Sequence, residues 1–187
     1  MKCFFELICS TIIGVLAVSI SAVIPTQLSA ETFIGSVARV SDGDTVRLRL
    51  DDSTELKIRL SGIDAPELDQ AFGKESRNRL TELVDGRTIE ARCSKRDRYR
   101  RWLCKLVFNS DDINLSLVKG GFAWWYRYYR KDQTLEDQQR YRVAEAIAKE
   151  NKLGLWEDSS PVSPWDFRRQ KRDKLKRQKR DKLKRQK

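Results

Sequence analysis

The chain has 187 residues, with 38 Lys or Arg, 27 Asp or Glu, four Cys and no His. The lack of histidine excludes that residue as an acid, a base or a metal ligand, and with so few cysteines it argues against a zinc site. Any chemistry must therefore use carboxylates, arginines, tyrosines, lysines or a metal ion.

The formal net charge of +11 belongs to one end of the chain. Residues 168–187 contain 13 Lys or Arg and two Asp, whereas the other residues contain 25 basic and 25 acidic side chains. Within this end an eight-residue sequence, 169–176, recurs as 177–184 with one leucine per repeat. Such a sequence cannot bury a core, so we predict a disordered tail or a lone charged helix outside the fold. It either attracts polyphosphate by counterion release or is a duplicated, solvated tail without a role.

The other end has the pattern of a targeting segment. An apolar run over residues 7–24 follows Lys2, and small residues lead to Ala30. This pattern predicts a signal peptide over residues 1–30 and a secreted or periplasmic protein that has no membrane contact after cleavage. The alternative is an uncleaved anchor, because a run of 18 apolar residues can just span a bilayer. The remaining chain divides into a domain over 31–160 and a linker with the basic tail over 161–187.

Hydrophobic periodicity predicts strands early in the domain and a mixture of strands and helices after them. The predicted elements in chain order are strands 33–40, 45–50 and 56–60, a helix over 71–84, strands 88–93 and 102–108, a helix over 113–119, an extended aromatic segment over 122–129 and a helix over 134–151. Five short strands with interspersed helices predict an α+β fold, a five-stranded OB-type Greek-key β-barrel with about three packed α-helices. We expect it to be a monomer.

Two cysteines, Cys93 and Cys104, flank the turn of the second predicted hairpin. In an oxidising compartment they could form a disulfide. The alternative is a pair of buried free thiols, and the sequence favours neither.

Two carboxylates are candidate metal ligands, since each follows the end of a strand or a turn. Asp44 and Asp64 are 20 residues apart, so only adjacent strands could bring them together. Two carboxylates with backbone carbonyls and water suit a hard divalent cation, calcium or magnesium. Taken singly, each aspartate is also typical of a turn or a cap.

Two arginines are candidate phosphate ligands, because guanidinium offers planar, paired donors and keeps its charge. Arg59 lies in an alternating strand, and Arg101 lies in an arginine-rich turn. Arg59 and Asp64 are separated by an odd number of residues and would face opposite sides of an unbroken strand. We therefore predict an irregularity at Gly62 if both serve one site.

Three stretches in this order resemble the staphylococcal-type thermonuclease family. They are residues 40–46 (VSDGDTV), Arg59 with 64–67 (DAPE), and 97–101 (DRYRR), followed by Asn114, 121–123 (GFA) and 153–156 (LGLW). The resemblance covers residues 33–156 and extends to 164–168 (PWDFR). It implies a calcium-dependent endonuclease, a phosphodiester hydrolase that cleaves DNA and RNA with little sequence preference. The alternative is a non-catalytic nucleic-acid-binding module on the same fold.

The resemblance also implies roles for individual residues. By this resemblance, the calcium ligands would be Asp44, Asp64 and the backbone carbonyl of Ala65. The catalytic residues would be Arg59, Glu67 and Arg101. Tyr99 would contact a nucleotide. Glu67 would orient or deprotonate the attacking water. Two further tyrosines, Tyr126 and Tyr129, could stack on bases or could be packing residues.

One departure from the family pattern concerns the second catalytic arginine. Arg100 stands where the family usually has glycine. If that position needs a positive φ, a side chain there costs about 1 kcal/mol. The position of Arg101 depends on how the turn accommodates Arg100.

Overall fold

The computed structural model describes residues 31–186. The predicted signal peptide, residues 1–30, lies outside the described residues, so its prediction stays untested. Among the described residues, no helix is both long enough and apolar enough to cross a membrane.

Strands and helices alternate along the described chain, largely where the periodicity predicts them. The strands are β1 (Glu31–Asp42), β2 (Thr45–Arg49), β3 (Glu55–Leu60), β4 (Ile63–Asp64), β5 (Thr88–Arg96), β6 (Trp102–Phe108), β7 (Asp111–Asp112) and β8 (Trp124–Trp125). The α-helices are α1 (Gly73–Val84), α2 (Ile113–Lys119), α3 (Leu135–Glu150) and α4 (Pro164–Arg185). Short 3-10 helices cover Arg127–Asp132 and Gly154–Glu157.

Five strands close into a barrel. Their order is β3-β2-β1-β5-β6, and β3 also pairs with β6 in parallel, with Ile58 opposite Trp102 and Leu60 opposite Cys104. This closure confirms the predicted five-stranded barrel with packed helices. Outside it, β7 extends β6, and β4 forms a separate two-stranded sheet with β8.

The barrel interior is apolar because alternate residues of each strand face inward. In β2, Val46 and Leu48 are fully buried, whereas Arg47 and Arg49 are exposed. Helices α1 and α2 cover the ends of the barrel with buried Leu80 and Leu117. The core is therefore continuous from the strands into both helices.

A buried asparagine joins three elements near the closure of the barrel. Asn114, in α2, accepts a hydrogen bond from the backbone N–H of Leu106 (3.1 Å) and donates to the carbonyls of Ser61 (3.0 Å) and Cys104 (3.1 Å). It thereby ties α2 to β6 and to the turn between β3 and β4 through their backbone groups. This bond network fixes the turn that follows β3, which carries Gly62.

The two cysteines form a disulfide. Cys93 in β5 and Cys104 in β6 are directly opposite each other in the antiparallel register, with their Cα atoms 4.0 Å apart. Both are buried in the barrel core. Of the two alternatives that the sequence left open, the structure contains the disulfide.

The aromatic segment 122–129 is not one extended strand, which corrects the prediction. Only Trp124 and Trp125 form β8, and a 3-10 helix begins at Arg127. The partner strand β4 has two residues and is followed by Ala65 and Pro66, so the ladder cannot continue. Beyond it the chain turns into the 3-10 helix, which leads to α3.

The basic tail is a helix, and its first turns contact the domain. Helix α4 begins after Ser163, whose hydroxyl accepts a hydrogen bond from the N–H of Asp166 (3.3 Å). Trp165 packs on Trp124, with ring centroids 5.5 Å apart. Residues 169–186 are exposed. The tail was predicted to lie outside the fold, but the first turn of α4 packs on the domain through Trp165.

A buried hydroxyl provides a test of the packing between α3 and the barrel. The Tyr141 hydroxyl lies 3.0 Å from both carboxylate oxygens of Asp112, and burial with that nearby charge raises the pKa of Tyr141 well above its ordinary value. We expect Tyr141→Phe to lower the free energy of unfolding by about 1–3 kcal/mol, since it leaves a buried carboxylate short of a donor. Denaturant unfolding measures this change. Tyr128→Phe, at a residue 79% exposed, is the control, and equal midpoints for both variants would contradict the expectation.

Candidate functional site

The turn between β1 and β2 presents Asp44 at the surface of the barrel. Its backbone N–H donates to the Asp42 carboxylate (3.0 Å), and its carbonyl accepts from the N–H of Leu60 in β3 (2.8 Å). The preceding residue, Gly43, packs closely against α1: a Cβ at this position would lie 2.1 Å from the hydroxyl oxygen of Ser76. Helix α1 and β3 therefore hold Asp44 from two sides.

Gly62 supplies the irregularity that is needed for Arg59 and Asp64, an odd number of residues apart, to serve one site. Its φ is +74°, which favours glycine, and it lies in the turn between β3 and β4. The prediction of an irregularity here is confirmed. Its effect is that Arg59 Nη2 lies 2.8 Å from Asp64 Oδ1, although five residues separate the two along the chain.

One guanidinium bridges the two candidate metal ligands. Arg59 Nη1 lies 2.5 Å from Asp44 Oδ2, while Nη2 contacts Asp64. The backbone N–H of Ala65 also donates to Asp44 Oδ2, at 2.8 Å. Asp44, Arg59, Asp64 and Ala65 are thus in one cluster, as the prediction of a shared site requires.

This cluster is buried, and its charges depend on each other. Asp64 is fully buried, Asp44 is 6% exposed, and the Arg59 side chain is 13% exposed. Burial, together with the nearby Asp42 and Asp64 charges, raises the pKa of Asp44 well above its usual range, against the lowering effect of Arg59. Burial opposes the charge on Arg59, but Asp44 and Asp64 raise its pKa above the ordinary value. Removing the arginine would leave two buried carboxylates facing each other.

Glu67 joins the cluster through an arginine that the sequence did not single out. Arg168, in α4, places Nη1 2.7 Å from Glu67 Oε1 and 3.2 Å from Asp64 Oδ1, and Nη2 2.7 Å from Asp64 Oδ2. The two carboxylates offset the loss of hydration and raise the pKa of Arg168 above the usual arginine value. The one sequence feature that could have indicated Arg168 is the short motif 164–168, which extends the resemblance beyond the last predicted helix.

Arg101 lies outside this ion-pair cluster. Its Nε (2.8 Å) and Nη2 (2.7 Å) both contact Asp97 Oδ2, and its N–H donates to Asp97 Oδ1. Partial burial raises the pKa of Asp97, but hydrogen bonds from Arg101 bring it below the ordinary value. Arg101 directly precedes β6, and Leu103, two residues later in that strand, pairs with Arg59. One Nη of Arg101 has no bond to Asp97.

The turn that carries Arg101 needs the positive φ that the family's glycine would supply. Arg100 has a φ of +63°, and its N–H donates to the Asp97 carbonyl at 2.9 Å. The Asp97 side chain also accepts from the N–H of Tyr99, at 2.9 Å. Hydrogen bonds to Asp97 thus hold the backbone of Arg100 in a conformation that is unfavourable for a residue with a side chain.

The candidate tyrosines fall into two places. Tyr126 donates its N–H to the Gly62 carbonyl (2.9 Å), and burial followed by the Asp64 charge raises the pKa of its hydroxyl. Its ring stacks on Trp165 of α4, with centroids 5.4 Å apart. An open cavity of about 320 Å³ adjoins the cluster there, lined by Trp125, Tyr126, Arg127, Tyr128 and Trp165.

The other two tyrosines are more exposed. Tyr129 packs edge-on against Tyr126, with centroids 5.3 Å apart, and does not line the cavity. Tyr99 is 64% exposed in the β5–β6 turn, beside the guanidinium groups of Arg98 and Arg101. The structure therefore brings Tyr126 to the carboxylate cluster and places Tyr99 with Arg101.

Comparison with known proteins decides the family. The family described as Staphylococcal nuclease homologue matches residues 57–158, more than half of the chain. The chain belongs to the staphylococcal nuclease family. An "Uncharacterized endonuclease" of Haemophilus influenzae is 37% identical over 136 residues, which are 73% of each chain.

Other relatives carry nuclease names. A "Micrococcal nuclease" of Shigella flexneri is 37% identical over 150 residues, 75% of this chain and 83% of that one. The "Staphylococcal-like nuclease CAN1" of Arabidopsis thaliana is 34% identical over 118 residues, 63% of this chain and 35% of that one. These names agree with the family assignment from the three sequence stretches.

The family match covers part of the cluster. Residues 57–158 include Arg59, Asp64, Glu67 and Arg101, but Asp44 and Arg168 lie outside them. Their place in the candidate site rests on their contacts with Arg59 and Asp64.

The donor set of this candidate site suits a hard cation. Within residues 31–186, no group of three or more Asp, Glu, Cys or His side chains is placed to hold a metal ion. Asp44 and Asp64 offer carboxylate oxygens bridged by one guanidinium, and backbone carbonyls, water and phosphate could complete the coordination of calcium. The residues present therefore fit such an ion, provided that arginine N–H groups release the oxygens.

The strained turn provides a test by substitution. Arg100→Gly should raise the free energy of unfolding by about 0.5–1 kcal/mol, because glycine adopts the +63° φ without steric cost. Arg98→Gly removes the same charge from the same turn at a position without positive φ, so it should not stabilise the protein. Denaturant unfolding measures both changes. If Arg100→Gly destabilises as much as the control, the strain is not real.

Proposed function

We propose that the protein is a calcium-dependent endonuclease that hydrolyses phosphodiester bonds in DNA and RNA with low sequence specificity. The observation that carries the proposal is the convergence of three carboxylates on two arginines: Arg59 contacts Asp44 and Asp64, and Arg168 contacts Asp64 and Glu67. Family membership supports a nuclease, and the geometry supports the residue roles. A non-catalytic module would have no need for Glu67 beside this cluster.

The carboxylates divide into two roles. Asp44, Asp64 and the Ala65 carbonyl would hold calcium, which supplies positive charge to the scissile phosphate. Glu67 is the half-buried carboxylate next to them, and it has a free oxygen because Arg168 contacts only Oε1. We assign to Glu67 the orientation of the attacking water and the acceptance of its proton.

The arginines stabilise the charge that develops on the phosphate. Arg101 is held by Asp97, so its side chain is already ordered when substrate binds. Arg59 lies between the two carboxylates and would exchange contacts with them for contacts with the phosphate when calcium binds. Comparable arginines contribute about 10³–10⁵ in rate to other phosphoryl-transfer enzymes. We propose that the free N–H groups of both grip the non-bridging phosphate oxygens.

The aromatic cavity suits a base next to the reacting phosphate. Tyr126 lies beside Asp64 and stacks on Trp165, and both line the open cavity. A base unstacked from its neighbours could insert there, whereas a base within a duplex could not. We therefore propose that single-stranded regions bind this cavity preferentially. Tyr99 would contact a nucleotide near Arg101, and Tyr129 would act through Tyr126.

We further propose that the protein is exported to the periplasm or secreted, as a monomer. The disulfide between Cys93 and Cys104 supports this proposal, because disulfides persist in oxidising compartments. The predicted signal peptide supports it independently.

A cleavage assay tests the activity. We expect the mature protein to cut plasmid DNA and RNA with calcium and to cut neither with a calcium chelator. Glu67→Ala and Arg101→Ala should each reduce the rate by about 10³-fold or more, because each removes a group that acts on the transition state. The readout is the rate of product formation with folding checked by circular dichroism.

The controls are matched to each variant. Glu75→Ala removes an exposed glutamate from α1, and Arg98→Ala removes an arginine from the Arg101 turn, so both should cleave at the wild-type rate. If the wild type does not cleave with calcium, the enzyme proposal is wrong and the non-catalytic nucleic-acid-binding module remains. Near-normal cleavage by either site variant would remove that residue's assigned role.

Truncation tests the exposed part of α4. Residues 172–187 carry ten Lys or Arg and two Asp, and they follow Lys171, which pairs with Asp69 on the domain at 2.5 Å. Ending the chain after Lys171 should weaken binding of an oligonucleotide mainly at low salt. It should reduce the slope of log affinity against log salt by about 2 or more, since each phosphate contact contributes about 0.7–0.9.

The binding is measured with a chelator present, so that the oligonucleotide stays intact. A chain that ends after Gln178 retains part of the charge and should give an intermediate slope. Equal slopes for all three proteins would show that the tail does not contact the substrate.

A further inference from the structure

Arg168 reaches the candidate metal site from the far end of the chain. It is 104 residues beyond Asp64 in sequence, yet its guanidinium contacts both Asp64 oxygens and one Glu67 oxygen. The Arg168 side chain is 36% exposed, whereas the Asp64 side chain it covers is fully buried. The arginine therefore closes the outer side of the cluster.

Arg168 occupies the positions that a cation at Asp64 would need. Oδ1 of Asp64 accepts from Arg59 Nη2 and Arg168 Nη1, and Oδ2 accepts from Arg168 Nη2. A calcium ion binds through lone pairs of such oxygens at about 2.3–2.6 Å. The guanidinium and the ion carry like charge, so both cannot occupy the same side of one carboxylate without strong repulsion.

The contacts of α4 hold Arg168 at the site. Trp165 packs on Trp124 and Tyr126, and the Val162 carbonyl accepts a hydrogen bond from the Gln70 amide at 2.6 Å. One turn after Arg168, Lys171 pairs with Asp69. These contacts make the Arg168–Asp64 pair intramolecular, which gives the arginine a high effective concentration at the carboxylate.

We propose that Arg168 is a built-in cationic competitor for the metal site, and that calcium binds only when Arg168 leaves Asp64. This inference rests on the proposed calcium site. It makes the C-terminal helix part of the metal equilibrium, because whatever holds the helix in place weakens calcium binding. By linkage, calcium weakens the docking of the helix to the same extent.

An arginine at this position has one other clear role, a third contact to the substrate phosphate. That role predicts an unchanged calcium affinity in the absence of nucleic acid. It also predicts weaker substrate binding when Arg168 is removed. Calcium binding to the free protein therefore separates the two roles.

The experiment is a calorimetric titration of the metal-free mature protein with calcium. Arg168→Ala should bind calcium at least tenfold more tightly than the wild type, because Asp64 Oδ2 is then free of a guanidinium and only the Arg59 contact to Oδ1 remains. Arg168→Lys keeps the charge but cannot bond to two carboxylates in parallel, so its affinity should lie between the two. Arg169→Ala is the matched control, since Arg169 is an exposed neighbour that pairs with Asp166 at 2.8 Å, and its affinity should be within twofold of wild type.

A second measurement leaves Arg168 in place. Trp165→Ala removes the aromatic contact of the helix, and it too should tighten calcium binding, by less than Arg168→Ala does. In the wild type, calcium should accelerate amide hydrogen exchange in residues 165–171, because the helix loses its contact with Asp64.

The outcomes separate this inference from the function on which it rests. Equal calcium affinities for the wild type and Arg168→Ala, or slower exchange in residues 165–171 with calcium, would overturn the competition and leave the calcium site standing. Absence of calcium binding to both proteins would remove the calcium site, and the competition with it.

Discussion

The site depends on one buried arginine shared by two carboxylates. Without Arg59, Asp44 would lose its ion pair and only Arg168 would remain to offset the buried charge of Asp64. The barrel makes the arrangement possible, because β3 runs between the strand that follows Asp44 and the closing strand β6. The charge cluster and the closure of the barrel therefore stabilise each other.

Close packing around the two loops leaves little freedom for their carboxylates. The turn before β2 lies against Ser76 of α1, and the turn after β3 is held by Asn114 and by a glycine with positive φ. Preorganisation of this kind matters in phosphoryl transfer, where most of the catalysis is positioning and charge stabilisation. The turns that carry Asp44 and Asp64 are accordingly held by side chains of α1 and α2.

The sequence predicted the elements whose cause is local. The alternation of apolar and polar residues predicted the barrel strands. The odd spacing of Arg59 and Asp64 predicted the irregularity at Gly62, and the glycine usual in the family predicted the positive φ of Arg100. It did not predict the early end of β8 or the contact of Arg168, because both depend on partners distant in the chain. A charge run gives no sign of which of its arginines will be placed at a carboxylate.

The eight-residue repeat of α4 has a geometric consequence for the exposed helix. Eight residues exceed two turns of 3.6 residues by about 80° of rotation, so equivalent positions of the two repeats face different directions. Leu175 and Leu183 therefore form no apolar stripe, and lysines and arginines surround the helix on every side. A partner helix would find no seam to pack against. A flexible polyanion could approach this helix from any direction.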